Sequence, residues 1–197
     1  WNDVLPIFRR SEDYQHGADD FHGSGGELRV EERRVNWEIL DVWRDAAEQC
    51  GIPKIDEFNR GDNIGNAYFQ MNQRKGKRWS AARAFLDAAQ PRPNLTVMTE
   101  ATVESLSFNT DADGLRATGV TLIHKGQRRD VKATSEVLLA AGAIASPQLL
   151  QLSGIGRPDD LRAHDIAVRH SLDGVGQNLQ DHLQIRTIYQ VDNTVTL

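Results

Sequence analysis

The chain has 197 residues, enough for one or two domains with a buried core. Residues of the AVILMFWYC set make up 39% of it and the 16 glycines add about 8%, which together is the apolar share of an ordinary globular domain. The formal charge of -5 is mixed along the chain and the basic clusters are small, which argues against a nucleic-acid surface. The single cysteine, Cys50, excludes an internal disulfide, and we expect it to be buried on a helix face. No stretch has the ~20 apolar residues of a membrane span and no signal peptide opens the sequence, so we expect a cytoplasmic protein.

The first half is predicted to contain two helices separated by polar loops. Between Asn36 and Cys50, apolar residues including Trp37 and Trp43 recur every three or four positions and Gly51 follows, which predicts a helix with a buried stripe. A second helix is predicted from Ser80, as N-cap, to Ala89. The prolines that follow end it and mark a domain boundary.

The second half has the alternating apolar and polar residues that are typical of β-strands. Strands are predicted at Leu95–Thr99, Thr102–Phe108, Ala117–His124 and Arg129–Ala133, the last two joined by a turn at Lys125–Gln127. The apolar run Val137–Ala141 is typical of a strand buried on both faces in a parallel sheet. A helix is predicted to open at Ser146-Pro147 and to end at Gly154.

The segment from Gly142 to Gly156, GAIASPQLLQLSGIG, follows that predicted strand and contains that predicted helix. Its glycines permit positive φ and a close approach of backbone to a ligand. A strand that runs into a helix N-terminus is where an α/β fold offers N–H groups to an anion. By itself this pattern leaves two interpretations open, a ligand site and a tight structural connection.

The whole fifteen-residue segment resembles a signature of the GMC (glucose-methanol-choline) flavoenzymes position by position. Other stretches resemble that family in the same order along the chain. They are the opening WNDVLPIFRR, the FHG…GG…LRV stretch from Phe21 to Val30, RWSAARAFL from Arg78, and GVGQNLQDH from Gly174 to His182. The segments RWSAARAFLDAA and RPNLTV are similar to segments in the branch of choline and other primary-alcohol dehydrogenases.

The resemblance implies a mixed α/β fold (an α+β mixture). It would comprise part of an FAD/NAD(P)-binding-like domain with a β-meander, plus part of a substrate-binding domain. Residues 1–93 would belong to the substrate-binding domain, 94–173 to the FAD-binding domain, and 174–197 would cross back to the substrate-binding domain.

The resemblance also implies three cofactor-binding residues. The backbone of Val103 would touch the adenine side of FAD, and the small residues Ala141 and Gly142 would end a strand behind the cofactor. No catalytic residue is expected in this chain, because the catalytic histidine and its partner lie towards the C-terminus in the family. Asp181 and His182 are therefore interpreted, with Asn178, as a structural crossover. The histidines have no spacing suited to a metal, so no metal site is predicted.

The parent reaction would be oxidation of the CH–OH group of an alcohol, choline or another primary alcohol, with hydride transfer to flavin N5. The sequence contains no G-x-G-x-x-G after a strand, which is the loop that cradles the FAD pyrophosphate. We therefore expect that this chain alone does not bind FAD and is inactive. Its expected partners are the N- and C-terminal parts of its parent, a small alcohol substrate, and further copies of itself through self-association.

Two alternatives stay open from the sequence alone. The chain could be a freestanding, non-catalytic binding or assembly module that keeps part of the flavoenzyme fold. It could also be a binding domain of α/β type that uses no flavin.

Overall fold

A computed structural model describes residues 1–112 and 114–195. The chain divides into two compact units, Trp1–Thr96 together with 187–195, and Val97–Arg186. Helices and strands are mixed in both, which confirms the predicted α/β mixture. None of the helices formed by the described residues is both long and apolar enough to cross a membrane.

The first unit contains short helices and two-stranded pairings. Its helices are α1 (Leu5–Ser11), α2 (Glu38–Gln49) and a π-helical turn (Ala82–Leu86) that continues as α3 (Asp87–Ala89). Its strands are β1 (Glu12–Tyr14), β2 (Leu28–Val30), β3 (Gln73–Arg74) and β4 (Lys77–Arg78). β1 pairs with β2 in parallel, and β3 pairs with β4 antiparallel.

The second unit is a meander followed by two helices. Its strands are β5 (Ala101–Asp111), β6 (Gly114–His124), β7 (Gln127–Lys132), β8 (Ile155–Gly156) and β9 (His170–Ser171). Its helices are α4 (Gly142–Leu152) and α5 (Pro158–Ala163). β6 lies between β5 and β7 in an antiparallel sheet, and β8 pairs with β9 in parallel.

The meander forms where alternation predicted it. Lys125 and Gly126, at the β6–β7 turn, have φ of 50° and 76°. Two consecutive residues with positive φ make a turn whose twist matches that of the flanking strands. The predicted hairpin is therefore confirmed, with the return strand at Gln127–Lys132.

Helix α4 packs against β5 through a buried serine. The Ser153 hydroxyl, which follows α4, donates to the Leu149 carbonyl at 2.6 Å and accepts the Leu106 N–H at 2.8 Å. One side chain thus satisfies a carbonyl at the helix end and an amide of the strand, both of which are buried. The C-terminal end of α4 is therefore fixed to the sheet.

Helix α2 is confirmed, but its expected environment is wrong. Gly51, with φ of +87°, ends the helix by donating to the Glu48 carbonyl, while Ile52 donates to that of Ala47. This is the Schellman arrangement that a C-terminal glycine permits. Ala47 is buried, but Trp43 is 51% exposed and Cys50 is exposed too. Periodicity showed that the helix has an apolar face, but it could not show what covers that face.

Two predicted strands are wrong. Val137–Ala141 forms no strand and is largely exposed, with Leu138 at 83%. A strand buried on both faces needs neighbouring strands and covering helices. No strand of the described residues pairs with this run, so Leu138 remains in solvent and Val137 and Leu139 are only partly covered. The run Leu95–Thr99 likewise has no pairing partner and is exposed.

The helix predicted at Ser146 begins earlier, at Gly142, and contains Pro147. The Ser146 side chain lies inside the helix, and its hydroxyl accepts the N–H of Ala141 at 3.0 Å. Pro147 is the sixth residue of this helix and has no N–H, so the helical hydrogen bond to the Ala143 carbonyl is missing. The helix predicted from Ser80 is confirmed, with a π-helical turn at Ala82–Leu86 and without a side-chain cap from Ser80.

Candidate functional site

A turn after β1 directs His22 into the first unit. The Asp19 carboxylate accepts the N–H groups of Phe21 and His22, both at 2.8 Å. These two backbone donors, then Arg60, lower the pKa of Asp19 to about 2. A side chain that caps its own turn in this way fixes the backbone ahead of β2. His22 is only 2% exposed as a result of this geometry.

Two glycines let the loop between β1 and β2 lie directly against α1. A Cβ atom at Gly23 would stand 1.7 Å from the Arg9 carbonyl oxygen, and one at Gly26 would stand 2.4 Å from the Ser11 carbonyl carbon. Backbone atoms cannot move aside as the end of a flexible side chain can. The glycines of the FHG…GG stretch are therefore required by the close approach of two backbone segments.

The His22 ring lies between two carboxylates. Its Nδ1 atom is 3.1 Å from Glu12 Oε2, and its Nε2 atom is 2.7 Å from Glu57 Oε1. The Tyr14 ring stacks on it, with 4.0 Å between the ring centroids. Burial alone lowers the pKa of His22, but the hydrogen bond to Glu57 and the charges of both carboxylates outweigh burial and raise it.

Glu57 is the centre of this cluster. Besides His22 Nε2, its carboxylate accepts hydrogen bonds from the Tyr14 hydroxyl at 2.8 Å and from Gln70 Nε2 at 3.1 Å, and it forms an ion pair with Arg60, whose Nε atom is 3.0 Å away. Burial, followed by the hydrogen bond to Glu57, raises the pKa of Tyr14, so its phenol stays protonated. Three hydrogen-bond donors and one guanidinium charge therefore converge on one buried carboxylate and satisfy it. We name the set Glu12, Tyr14, His22, Glu57, Arg60 and Gln70 the His22 cluster.

A cavity of about 470 Å³ borders the His22 cluster. Glu12 and His22 form part of its wall, and the rest is mainly apolar and aromatic, including Trp1, Leu5, Phe8, Phe21, Leu28 and Phe58. An apolar wall with a few polar groups at one end is the usual composition of a small-molecule site.

The predicted cofactor residues all lie in the second unit. Val103 is on β5, paired with Leu122, and the register shifts between Val103 and Ser105. Such a bulge leaves the backbone of Glu104 outside the ladder. β5 is also an outer strand of its sheet. Backbone groups near Val103 are thus placed where a ligand could reach them.

Ala141 and Gly142 form the N-terminus of α4. Ala141 is its N-cap, no side chain caps the first turn, and Gly142 has φ of +87°. No atom lies within 4 Å of the Cβ that a larger residue would carry at Gly142. The N–H groups at the start of a helix and the helix dipole favour an anion, and the space beside Gly142 is open.

The residues interpreted as a crossover lie in an exposed stretch that forms neither helix nor strand. The His182 N–H donates to Asp181 Oδ1 at 2.8 Å, and Asn178 accepts from Gln180 at 3.2 Å. Within residues 1–112 and 114–195, no group of three or more histidine, cysteine or acidic side chains is arranged to hold a metal ion.

The His22 cluster was missed by the sequence interpretation. His22 was noted only as part of the FHG stretch, while Glu12, Tyr14 and Glu57 were not singled out. Glu57 lies 35 residues beyond His22 in the chain. No local pattern marks a contact over that distance. Proximity to the glycines of the FHG…GG stretch was the available signal.

Comparison with known proteins places this chain among related enzymes. A sequence model described as GMC oxidoreductase matches residues 1–184. An oxygen-dependent choline dehydrogenase from Stenotrophomonas maltophilia (strain R551-3) is 43% identical over 197 residues, which cover 99% of this chain and 34% of that protein. The mitochondrial choline dehydrogenase of Mus musculus is 40% identical over 193 residues, covering 98% of this chain and 32% of its own. The chain thus spans about a third of the length of these curated relatives.

Two solved structures also resemble this chain in both sequence and fold. Pyridoxine 4-oxidase from Mesorbium loti superposes with a TM-score of 0.79 at 31% identity, over 87% of this chain and 33% of that chain. An FAD-dependent oxidoreductase from Chaetomium thermophilum superposes with a TM-score of 0.82 at 29% identity, over 92% of this chain and 33% of its own. With a family match over residues 1–184 and agreement in both sequence and fold, this chain belongs to the GMC oxidoreductase family.

Proposed function

We propose that this chain is part of an FAD-dependent oxidoreductase that acts on the CH–OH group of an alcohol, with choline or another primary alcohol as substrate. The observation that carries the proposal is the similarity to choline dehydrogenases over 99% of the chain. Bound FAD would supply the hydride acceptor, flavin N5. The base that takes the hydroxyl proton would belong to a part of the parent outside these residues.

The second unit would contact the cofactor through Val103, Ala141 and Gly142. The uncapped N–H groups of α4 would donate to a phosphate oxygen, and the positive φ of Gly142 would keep the space beside them open. Val103 would offer backbone groups next to the bulge in β5. In this proposal residues 94–173 belong to the FAD-binding domain, while 1–93 and 174–197 belong to the substrate-binding domain.

Exposed apolar side chains support the proposal that the rest of the parent covers this chain. Large apolar residues exposed to solvent occur in both units, among them Phe8, Trp43, Leu138, Leu183 and Ile188. Apolar surface on this scale marks sites of interaction. In isolation the chain would use the same surface to self-associate, and in the parent the N- and C-terminal parts would cover it.

We expect the parent polypeptide to hold FAD and to oxidise choline or another primary alcohol. The 197-residue chain alone should neither bind FAD stoichiometrically nor oxidise any alcohol. Charge-assisted hydrogen bonds are worth about 1.5–3 kcal/mol each, and this chain lacks the glycine-rich loop that makes several of them to the pyrophosphate. Absorbance of both proteins after dialysis against FAD, together with a dye-linked oxidation assay, tests the proposal.

If the parent prefers glucose to choline, the proposed substrate is wrong, but the family assignment is unaffected. One bound flavin per isolated chain would mean that the cofactor contacts are misplaced.

We expect Gly142→Ala in the parent to weaken FAD binding about fivefold. An alanine at positive φ costs about 1 kcal/mol, and relief of that strain would rotate the first N–H groups of α4 away from the phosphate. Flavin fluorescence during titration with FAD measures the change. The matched control is Gly174→Ala, because Gly174 also has open space around it but no positive φ. Equal FAD affinities for the two variants would rule out a contact at the start of α4.

A further inference from the structure

His22 can satisfy both of its neighbours only when it is doubly protonated. Each ring nitrogen lies within hydrogen-bond distance of a carboxylate oxygen, Nδ1 next to Glu12 and Nε2 next to Glu57. An ionised carboxylate accepts hydrogen bonds and donates none, and a neutral imidazole has a single N–H. With both carboxylates ionised, the two contacts together therefore require the imidazolium, which carries two N–H groups.

The two carboxylates hold the ring unequally. The Glu57 contact is the shorter one, and its second oxygen is fixed by Tyr14 and Gln70. The Glu12 side chain is 19% exposed, compared with 3% for Glu57, and it lines the cavity. Apart from His22, the Glu12 Oε2 atom is held by the Gly23 N–H at 2.9 Å. When one proton leaves, the remaining N–H stays on the Glu57 side and the Nδ1 lone pair faces the Glu12 carboxylate.

We propose that His22 is a pH-dependent switch in the wall of the cavity, which holds Glu12 in the wall while doubly protonated and releases it when neutral. Repulsion between the Nδ1 lone pair and the carboxylate drives the release, and the cavity gives Glu12 space to move into. The switch uses residues of the first unit alone. The proposal can therefore be tested independently of the flavin and of any alcohol substrate.

Charged groups surround the switch on several segments. Those that face His22 or its direct partners are Arg9 on α1, Glu12 and Tyr14 on β1, Asp19 in its own turn, Glu57 and Arg60, with His16 and Glu32 beyond Tyr14. The nearest charges to the ring are negative, and the pKa of His22 is raised. The switch therefore operates above the usual range of histidine, which lies near 6.5.

The sign of the stability effect follows from that direction. The stabilising contribution of a raised histidine pKa is complete below about pH 6.5, fades as the pH rises through the folded value, and is absent above it. The unfolding equilibrium constant should rise about tenfold over this window for each unit by which the folded pKa exceeds the unfolded one.

An NMR titration of the full chain tests the switch. Ring ¹⁵N shifts should show His22 with two N–H groups at pH 6, and it should lose the Nδ1 proton at a pH above about 6.5, the value of an unperturbed histidine. The Gly23 amide proton, which donates to Glu12, should shift at the same pH. In Glu12→Gln, His22 should titrate at lower pH and the Gly23 shift should no longer follow it.

His164→Gln is the control and should leave both titrations unchanged. The ring readout uses folded wild type and Glu12→Gln, so it remains decisive should His22→Gln fail to fold. A single N–H on His22 at pH 6, or loss of its Nδ1 proton at or below about pH 6.5, would overturn the proposal. A Gly23 shift that follows His22 equally well in Glu12→Gln would do the same.

Discussion

We expect Gly23→Ala to lower the free energy of unfolding by about 3 kcal/mol, at the upper end for overpacking. The new methyl group would stand 1.7 Å from the Arg9 carbonyl oxygen and 2.5 Å from its carbonyl carbon. To accommodate it, the loop must separate from α1, which breaks the hydrogen bond from the Tyr14 N–H to the Gly23 carbonyl and displaces His22. Denaturant unfolding followed by tryptophan fluorescence measures the loss.

A glycine of the same loop provides the matched control. Gly25 has φ of +81°, but no atom lies within 4 Å of an added Cβ. Gly25→Ala should therefore cost only the strain of a left-handed alanine, about 1 kcal/mol. Losses of equal size in the two variants would mean that close approach to α1 does not determine the need for glycine at position 23.

Glu57→Gln should also destabilise the chain by about 3 kcal/mol at pH 6. Breaking a buried ion pair by removing one partner leaves the other charge uncompensated, and such losses are typically about 3–5 kcal/mol. The amide also brings an NH₂ group into a position surrounded by donors from Tyr14, His22 and Gln70 and by the positive charge of Arg60. It can therefore satisfy fewer of these donors than the carboxylate did.

Glu48→Gln is the control for Glu57→Gln, because Glu48 makes an exposed ion pair with Lys54 at 3.3 Å. Exposed pairs contribute about 0–1 kcal/mol, so this variant should unfold almost as the wild type does. Similar denaturation midpoints for both variants would show that the His22 cluster contributes no more than a surface ion pair.

The elements that the sequence predicted correctly are those specified by neighbouring residues. The β6–β7 hairpin follows from alternation on both sides of Lys125-Gly126, and α2 follows from its periodicity and Gly51. Val137–Ala141 was predicted wrongly because an apolar run indicates a tendency to be buried without supplying strands to pair with. The exposure of Trp43 has the same explanation.

The candidate site depends on contacts that no local pattern encodes. The hydrogen bond between Tyr14 and Glu57 joins residues 43 positions apart. The cofactor residues Val103, Ala141 and Gly142 came from family resemblance, and their assignment stays a prediction. The structure adds the bulge at Val103 and the open N-terminus of α4, and neither could be read from residue types.

The antiparallel meander has a consequence for the order of folding during synthesis. β5, β6 and β7 follow one another in the chain, and their registered pairs range from Asp111 with Gly114 to Ala101 with His124. Closing such short loops loses little chain entropy, so these hairpins can form as soon as they leave the ribosome. The His22 cluster joins positions 12 to 70 and needs many more residues to be brought together. Although the His22 cluster is synthesised first, it should therefore be completed more slowly than the meander. Until then the aromatic residues of the cavity wall stay exposed in the nascent chain, and we expect chaperones to bind there.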